Sequence, residues 1–228
     1  MTHPTDDRPR LLVLGHRGDA RVAPENSIEA LIAALAVPGC DGVEFDVRAS
    51  RDGTPVLSHD PTLRRVHGRR DRVGSLSTGE LAAFGVPSLR EALQVLPPRA
   101  FVDVELKEDV GVAVVAVLRA VRGPDLASAV VSSFDEASLL TVRRLAPGWP
   151  TWLSSSRLDA SAVERAVALG CRGIAAGHRS IVADTVVVAT AEGLEVAAWT
   201  VRRLSTLERL ARLGVVAACV EDEALDGR

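Results

Sequence analysis

Short apolar runs rich in β-branched residues alternate with longer segments of helical periodicity along the whole chain. This alternation predicts strands joined by crossover helices, which is the pattern of a parallel sheet. The eight predicted strands are Leu11–Gly15, Gly42–Val47, Phe101–Leu106, Ala129–Ser133, Thr151–Ser154, Gly173–Ala176, Glu195–Thr200 and Val215–Val220. The predicted helices are Ser27–Ala36, Ser88–Leu96, Val110–Val121, Glu136–Leu145, Ala160–Leu169, Ile181–Glu192 and Leu204–Leu213. Eight strands with crossover helices predict an α/β protein, a single (β/α)8 TIM barrel.

The end of the chain is the weak point of this barrel prediction. The last helix has to fit into the eight residues after Val220, so we expect a short or irregular cap. An open, doubly wound sheet is the alternative, but it normally carries a glycine-rich phosphate loop after its first strand, and Gly15–Gly18 does not extend into one. A length of 228 residues with 47% hydrophobic content suits one barrel domain over residues 1–228.

The connection from Val47 to Pro87 is unusual because it shows no clear helical pattern. Asp52-Gly53, flanked by extended runs, predicts a short hairpin with a two-residue turn after the second strand. If Arg51 pairs with Thr54, Asp46 lies directly opposite His59 on the same face of the ribbon. The hairpin would thus bring His59 beside the second strand.

Charge and hydropathy exclude several classes of protein. A net charge of −3 and a pI near 6.0 provide no field that would hold nucleic acid. The first ten residues are polar, the following apolar run is too short for a signal peptide, and no run reaches membrane-spanning length. We therefore expect a cytoplasmic protein without an integral membrane segment. Cys40, Cys171 and Cys219 lack metal-type spacing and are predicted to be buried, reduced thiols.

Charged residues interrupt the apolar runs where the first three predicted strands end. They are His16, Glu44, Asp46, Glu105 and Lys107, and Lys107 is the only lysine among 27 basic residues. The carboxyl ends of parallel barrel strands meet at one face, and neighbouring strands are about 4.8 Å apart, so these side chains can converge. Asp103 shares the parity of Glu105 and is expected to point inward one layer deeper, where it needs a partner.

Three carboxylates in one small volume need a compensating charge, and such oxygen ligands suit Mg²⁺ or Ca²⁺ rather than zinc. The cation would polarise a bound phosphate. Lys107 and Arg17 can neutralise the remaining phosphate oxygens, and His16 and His59 can move protons near neutral pH. This combination favours cleavage of a phosphodiester over other reactions.

The order and spacing of short motifs resemble the glycerophosphodiester phosphodiesterases, which share a barrel with phosphatidylinositol-specific phospholipases C. The resemblance runs nearly from end to end. The motifs that carry it are Gly15-His16-Arg17-Gly18, Pro24-Glu25-Asn26-Ser27, Asp41-Gly42-Val43-Glu44-Phe45-Asp46-Val47, Asp52-Gly53, His59-Asp60, Pro87-Ser88-Leu89, Glu105-Leu106-Lys107, Ser132-Ser133-Phe134 and Trp199-Thr200-Val201.

The resemblance implies a role for each member of the charged set. Glu44, Asp46 and Glu105 would bind the divalent metal, and His16 and His59 would be the acid and the base that flank the phosphate. In the same way, Arg17 and Lys107 would hold the phosphoryl oxygens. Trp199 would line the mouth of the pocket near the glycerol, and His178 matches a polar position at the end of the sixth predicted strand.

Three positions depart from the family pattern and bear on the substrate rather than on the chemistry. Arg202 stands where asparagine is frequent, and Glu221-Asp222-Glu223 replaces a usual Thr-Asp-Arg-Pro ending, which leaves the contribution of the last strand open. Asp103 stands where asparagine is frequent, so it adds a negative charge below the metal and can raise the pKa of a neighbouring carboxyl group.

Residues around the charged set are expected to have supporting roles. Asn26 is predicted to cap the first helix, while Glu25 favours the positive end of that helix and braces Arg17. An arginine-rich loop should project over the barrel mouth; a solvated surface is favoured for it over a site that attracts an anionic head group. Its arginines are Arg64, Arg65, Arg69, Arg70 and Arg72.

These observations favour a metal-dependent hydrolase that cleaves a small-molecule glycerophosphodiester into glycerol 3-phosphate and an alcohol. A lysophospholipase D or a phosphodiester lyase that forms a cyclic phosphate is the nearest alternative on the same scaffold. A catalytically silent barrel that binds phosphorylated ligands is an alternative from another class. The sequence indicates neither the head group, nor Ca²⁺ over Mg²⁺, nor the oligomeric state.

Overall fold

A computed structural model describes residues 10–227, and over this range nine strands form one sheet. The strands are β1 (Leu12–His16), β2 (Gly42–Ala49), β3 (Pro55–Leu57), β4 (Phe101–Leu106), β5 (Ala129–Ser133), β6 (Thr151–Ser155), β7 (Gly173–Gly177), β8 (Glu195–Val201) and β9 (Ala217–Val220). Their order is β1-β9-β8-β7-β6-β5-β4-β2-β3, and a parallel pairing of β1 with β2 closes the ring. Eight parallel strands thus form a closed barrel, and the predicted (β/α)8 TIM barrel is confirmed.

Helices cover the outside of this barrel. They are α1 (Ile28–Ala36), α2 (Arg64–His67), α3 (Thr78–Ala82), α4 (Leu89–Val95), α5 (Gly111–Arg122), α6 (Glu136–Leu145), α7 (Ala160–Leu169), α8 (Ala183–Ala191), α9 (Leu204–Arg212) and α10 (Glu223–Asp226). The four-residue α10 is the short cap expected at the end of the chain. The expectation of no helix between Val47 and Pro87 was wrong, since α2 and α3 lie there. A capping box of Ser77 and Glu80, visible in the sequence, starts α3.

Apolar side chains fill the lower part of the barrel interior. The buried members of this inner cluster are Leu14, Val130, Trp152, Ala175, Ala197, Ala217 and Cys219. The stacked rings of Phe101 and Trp152, with centroids 6.1 Å apart, lie among them. Several positions are alanine, so the interior accommodates these two rings without a pore. The inward positions nearer the carboxyl ends of the strands are polar, which places the functional site above this apolar plug.

The hairpin after β2 forms, but its register differs from the prediction by one residue. Val47 pairs with Leu57, so Asp46 lies opposite Ser58, whose N–H donates to the Asp46 carbonyl at 3.0 Å. The turn has three residues between Ser50 and Thr54, and its last residue, Gly53, has a φ of 75°. A three-residue turn with a left-handed glycine replaces the expected two-residue turn, and this shifts the pairing.

The cysteines and the lengths of the helices can be compared with the sequence predictions. All three cysteines are free thiols, as predicted, and Cys171 and Cys219 are buried; the prediction of a buried Cys40 was wrong, since that side chain is only partly buried. Burial raises the pKa of each thiol, which keeps it protonated and unreactive. Across residues 10–227, every helix falls short of the length and apolar character needed to cross a bilayer.

Candidate active site

A cavity of about 180 Å³ opens at the carboxyl ends of the barrel strands. Its lining residues are His16, Arg17, Glu44, His59, Asp103, Glu105, Lys107, Ser132, Phe134, Ser154, Ala175, Trp199, Thr200 and Cys219. Seven of the eight predicted site residues are in this lining. The eighth, Asp46, lies fully buried directly behind it, and His178 does not line it.

Strand register brings the three carboxylates together. His16 pairs with Glu44 across β1 and β2, and Asp46 pairs with Glu105 across β2 and β4. These three acidic residues each offer an oxygen within 4.8 Å of the others. Side chains two residues apart on a strand share a face, so Glu44 and Asp46 both point into the barrel. The structure therefore juxtaposes the acidic residues that the sequence singled out.

Arg17 enters the site because the chain turns sharply after β1. Its backbone has a φ of 57°, and its N–H donates to the Glu44 carbonyl at 2.8 Å. Gly18 follows with a φ of 84°, and a Cβ there would lie 2.4 Å from the Ala30 carbonyl carbon of α1. Only glycine fits this close approach. The guanidinium Nη1 donates to Glu25 Oε1 at 3.0 Å, which confirms the expected brace by Glu25.

Two cations contact the buried carboxylate of Asp46. Arg17 Nε lies 3.0 Å from Asp46 Oδ2, and Lys107 Nζ lies 3.0 Å from Asp46 Oδ1. The Lys107 ammonium also donates to Glu105 Oε1. Burial raises the pKa of the Asp46 carboxyl, but these cations and a hydrogen bond from Asn26 outweigh it, so the pKa lies below its usual value. Asp46 is thus held as the anion.

Asn26 has a different role from the predicted one. Ser27, not Asn26, caps α1, because the Ser27 side chain accepts the N–H of Ala30. Asn26 adopts a left-handed backbone and its side-chain amide bonds Asp46. The prediction failed because either residue is a suitable cap, and the sequence does not reveal which side chain turns toward β2.

The pKa values of the other carboxyl groups in the cavity lining are raised. Burial, together with the charges of Asp46 and Glu105, raises the pKa of Glu44 well above its usual value. Burial likewise raises the pKa of Glu105, and it raises that of Asp103 to about 7. Asp103 has the partner that its inward position was expected to require: the Ser132 hydroxyl donates to Asp103 Oδ1 at 2.6 Å. The site therefore holds more acidic groups than its own cations can compensate.

A divalent cation fits this imbalance. Glu44 Oε1 is buried and accepts no hydrogen bond within residues 10–227, and Asp46 Oδ1 faces only the Lys107 ammonium. Buried carboxylate oxygens without donors are costly, whereas they are the preferred ligands of Mg²⁺ and Ca²⁺. Glu44, Asp46 and Glu105 could hold such an ion together.

Each histidine turns its Nδ1 atom toward a carboxylate. His16 Nδ1 lies 2.5 Å from Glu221 Oε1, and His59 Nδ1 lies 2.7 Å from Asp60 Oδ1. The Nε2 atom of His16 points the other way, 3.7 Å from Glu44 Oε2. Sequence reasoning missed Glu221 as a site residue. Its position directly after the last strand, which pairs with β1 when the barrel closes, was the available signal.

Aromatic side chains wall one side of the mouth. The rings of Phe134 and Trp199 meet edge to face with centroids 5.6 Å apart, and the Trp199 indole N–H donates to the Ala175 carbonyl at 2.9 Å. The Lys107 ammonium lies 5.8 Å from the centre of the Phe134 ring. The cavity therefore has a charged floor and an apolar wall.

Comparison with known proteins agrees with this arrangement. The model of the glycerophosphoryl diester phosphodiesterase family matches residues 16–223. The chain belongs to this family. A family relative from Caldanaerobacter subterraneus, a glycerophosphodiester phosphodiesterase, is 26% identical over 232 residues, covering 93% of this chain and 95% of the relative. Human glycerophosphodiester phosphodiesterase 1 is 33% identical over 101 residues, covering 38% of this chain and 30% of the human protein.

A solved structure is similar to this chain over nearly the full length of both proteins. It is a phosphodiesterase from Oleispira antarctica in complex with the product sn-glycerol-3-phosphate. Its TM-score to this chain is 0.84 at 26% sequence identity, and the match covers 96% of this chain and 95% of that chain. The fold of this chain thus matches that of a phosphodiesterase whose solved structure contains sn-glycerol-3-phosphate.

In this family member, the five arginines of the arginine-rich segment are exposed, as expected, and Arg65 also makes ordered contacts beside the cavity. The Arg65 guanidinium donates to both oxygens of Glu25, at 2.6 and 2.7 Å, and its Nε donates to Asp60 at 2.7 Å. Glu25 braces Arg17, and Asp60 engages His59. Arg65 therefore links the arginine-rich segment to two of the predicted site residues.

Proposed function

We propose that this chain is a metal-dependent phosphodiesterase that hydrolyses glycerophosphodiesters to glycerol 3-phosphate and an alcohol. The observation that carries the proposal is one site, a cavity together with the carboxylate buried behind it, in which three clustered carboxylates, two cations and two carboxylate-bound histidines meet. Membership of the glycerophosphoryl diester phosphodiesterase family supports it. The relative that holds sn-glycerol-3-phosphate supports the identity of the product.

Glu44, Asp46 and Glu105 would hold the divalent ion, Ca²⁺ or Mg²⁺. When bound, such an ion supplies Lewis-acid polarisation of a phosphoryl oxygen and lowers the barrier to attack at phosphorus. Arg17 and Lys107 would bind the remaining phosphoryl oxygens, since both cations face the cavity. Charge-assisted hydrogen bonds of this kind orient a phosphate and stabilise the charge that builds up on it.

His16 and His59 would move the protons. One imidazole accepts the proton of the nucleophile, whose oxygen forms a new bond to phosphorus. The ester bond from phosphorus to the alcohol oxygen breaks, and the other imidazole donates a proton to the departing alkoxide. A water nucleophile yields glycerol 3-phosphate directly, whereas attack by the neighbouring glycerol hydroxyl yields a cyclic phosphate first.

The apolar wall of Phe134 and Trp199 would contact the carbon skeleton of the glycerol. A cavity of about 180 Å³ is small, so the head group would extend outward past the mouth. We therefore expect this chain to recognise the glycerophosphate part of its substrate and to tolerate several alcohols.

A panel of glycerophosphodiesters, assayed with Ca²⁺, with Mg²⁺ and with a chelator, tests the proposal. We expect release of glycerol 3-phosphate with at least one ion and its loss on chelation. His16→Ala and His59→Ala should each lower turnover by about 10²-fold or more, the usual contribution of an acid or base. His67→Ala, on the same segment as His59 but outside the cavity lining, is the control and should retain activity.

Product analysis by phosphorus NMR distinguishes glycerol 3-phosphate from a cyclic phosphate and hence hydrolysis from a lyase reaction. Calorimetry with glycerol 3-phosphate tests the alternative of a catalytically silent barrel, because such a protein would bind this ligand but hydrolyse no diester. Thermal unfolding with and without each ion tests the metal site independently of activity, because a bound ion raises Tm. Full turnover in both histidine variants, or activity that survives chelation, would contradict the proposal.

A further inference from the structure

Glu221 connects the last strand of the barrel to His16 on the first. Its Oε1 lies 2.5 Å from His16 Nδ1, and its Oε2 accepts a hydrogen bond from Arg202 Nε at 2.8 Å. Parallel pairing of β1 with β9 makes the contact possible, because it sets the end of β9 beside the end of β1. A residue 205 positions away along the chain thereby becomes the direct neighbour of the imidazole.

The contact decides which ring nitrogen faces the cavity. A neutral imidazole carries its proton on one nitrogen only, and a carboxylate at Nδ1 favours the tautomer with the proton there. Nε2 is then unprotonated and directed toward the cavity, on the side of Glu44. Without an acceptor at Nδ1, the ring is free to exchange tautomers or to rotate.

We propose that Glu221, held in place by Arg202, is a positioning residue that keeps the Nδ1–H of His16 directed away from the cavity and presents Nε2 to the substrate. The part of this inference that concerns turnover rests on the proposed function of His16. Glu221 itself touches no reacting atom and acts only through the imidazole.

A purely structural role explains the pair of Glu221 and Arg202 poorly. The Arg202 side chain is 65% exposed, and ion pairs with such exposure contribute little to stability because water and salt screen them. The Glu221 side chain is 25% exposed, and one of its oxygens contacts Arg202 while the other contacts His16. The contacts of Glu221 therefore orient the His16 ring more than they stabilise the fold.

Glu195 provides a matched control at the opposite end of the barrel. It starts β8, its side chain is 26% exposed, and it pairs with Arg172 at 2.7 Å. Its second oxygen accepts from the Trp152 indole N–H at 3.2 Å, just as Glu221 engages a ring nitrogen. The two glutamates thus match in exposure and bonding but differ in whether they contact His16.

The test combines nitrogen-15 NMR of the imidazole with steady-state kinetics. At a pH where histidine is neutral, the protonated ring nitrogen resonates far upfield of the bare one, and a His16→Gln spectrum assigns the signals. We expect a single Nδ1–H tautomer in the wild type and exchange between tautomers in Glu221→Ala. We also expect kcat to fall about 10- to 100-fold with KM changed little, as for groups that orient a functional ligand.

Glutamine in Glu221→Gln is nearly isosteric with glutamate and keeps an acceptor oxygen, so we expect partial recovery of both the single tautomer and kcat. If the alanine variant does not fold, Glu221→Gln provides the test in its place. Glu195→Ala should match the wild type in both. An unchanged tautomer or an unchanged kcat in Glu221→Ala would overturn the inference. A wild type that hydrolyses no glycerophosphodiester would refute the proposed function, and the ring shifts alone would then decide whether Glu221 fixes His16.

Discussion

Asn26 and Asp46 exchange two hydrogen bonds at the centre of the site. The Asn26 amide donates to Asp46 Oδ2 at 2.9 Å, and the Asn26 side-chain oxygen accepts the Asp46 backbone N–H at 3.1 Å. Both residues are buried, and Asn26 has a φ of 61°. Because one side chain holds the carboxylate and the backbone beside it, Asn26 sets the direction in which Asp46 presents its other oxygen.

Replacing Asn26 should therefore weaken both the fold and the proposed metal site. Asn26→Ala leaves the Asp46 N–H buried without an acceptor, which costs about 1–3 kcal/mol, and alanine in the left-handed region costs about 1 kcal/mol more. Asn26→Gly loses the same bonds without the backbone strain, so its free energy of unfolding should fall less. Urea unfolding in the presence of a metal chelator measures these differences in the free energy of unfolding.

Calorimetric titration with a divalent ion separates the two effects of Asn26. Both variants lose the same amide, so both should bind the ion more weakly and to a similar extent. Wild-type affinity in both would mean that Asn26 does not orient the Asp46 carboxylate.

The barrel was predictable because buried parallel strands appear in a sequence as continuous apolar runs. Each predicted strand overlaps a barrel strand, and the ends differ by at most two residues, as at Val215 against Ala217. The same physics exposed the charged set, since an acidic residue inside such a run has to face a ligand or a partner. Glu44, Asp46 and Glu105 therefore stood out without any knowledge of the structure.

Other features depend on geometry that local patterns do not contain. One additional turn residue, with Gly53 at positive φ, moved the hairpin pairing from His59 to Ser58 opposite Asp46. The contact of Glu221 with His16 depends on closure between the first and last strands, so the position of Glu221 after the last strand indicates it only once a closed barrel is assumed. Contacts of this kind require the register of the whole ring.

Arg65 supports two of the proposed site residues from outside the barrel. Through Glu25 it steadies Arg17, and through Asp60 it steadies His59. Arg65→Gln should lower kcat/KM on the order of tenfold, the usual effect of removing a group that orients a functional residue. The free energy of unfolding should change by less than about 1 kcal/mol, since the Arg65 side chain is 48% exposed.

Arg69→Gln is the matched control for Arg65. Arg69 lies on the same segment with a 46% exposed side chain, pairs with Asp71 at 3.0 Å, and stacks on Phe84. Steady-state assays should give wild-type kcat/KM for this variant. Equal losses in Arg65→Gln and Arg69→Gln would attribute the effect to the charge of the segment rather than to the contacts with Glu25 and Asp60.

With a metal chelator present, ionisation of Asp103 should make the protein less stable as the pH rises. Burial raises its pKa to about 7, whereas an unfolded aspartate titrates near 4. Between these values the folded state holds a proton that the unfolded state has lost, so the free energy of unfolding falls with rising pH. Below about pH 4 both states are protonated and the effect disappears, and above about pH 7 it is complete.

Asp103→Asn removes this titration and keeps an oxygen that can accept the Ser132 hydroxyl. Relative to the wild type, the variant should gain on the order of 1 to 4 kcal/mol on going from below about pH 4 to above about pH 7. Urea unfolding with chelator present measures the gain at both ends. The same difference at both pH values would contradict a raised pKa for Asp103.

Lys107 should react slowly with an amine-directed acylating reagent. Burial alone would lower its pKa, but the Asp46 and Glu105 carboxylates outweigh burial and raise it, and only the unprotonated amine reacts. Glu105→Gln removes one of these anions and should speed the labelling of Lys107 several-fold. Because the chain has a single lysine, peptide mass spectrometry distinguishes this amine from the chain terminus without ambiguity. Glu108→Gln is the control, since Glu108 pairs with Arg48 instead; equal labelling rates in both variants would contradict the ion pair between Lys107 and Glu105.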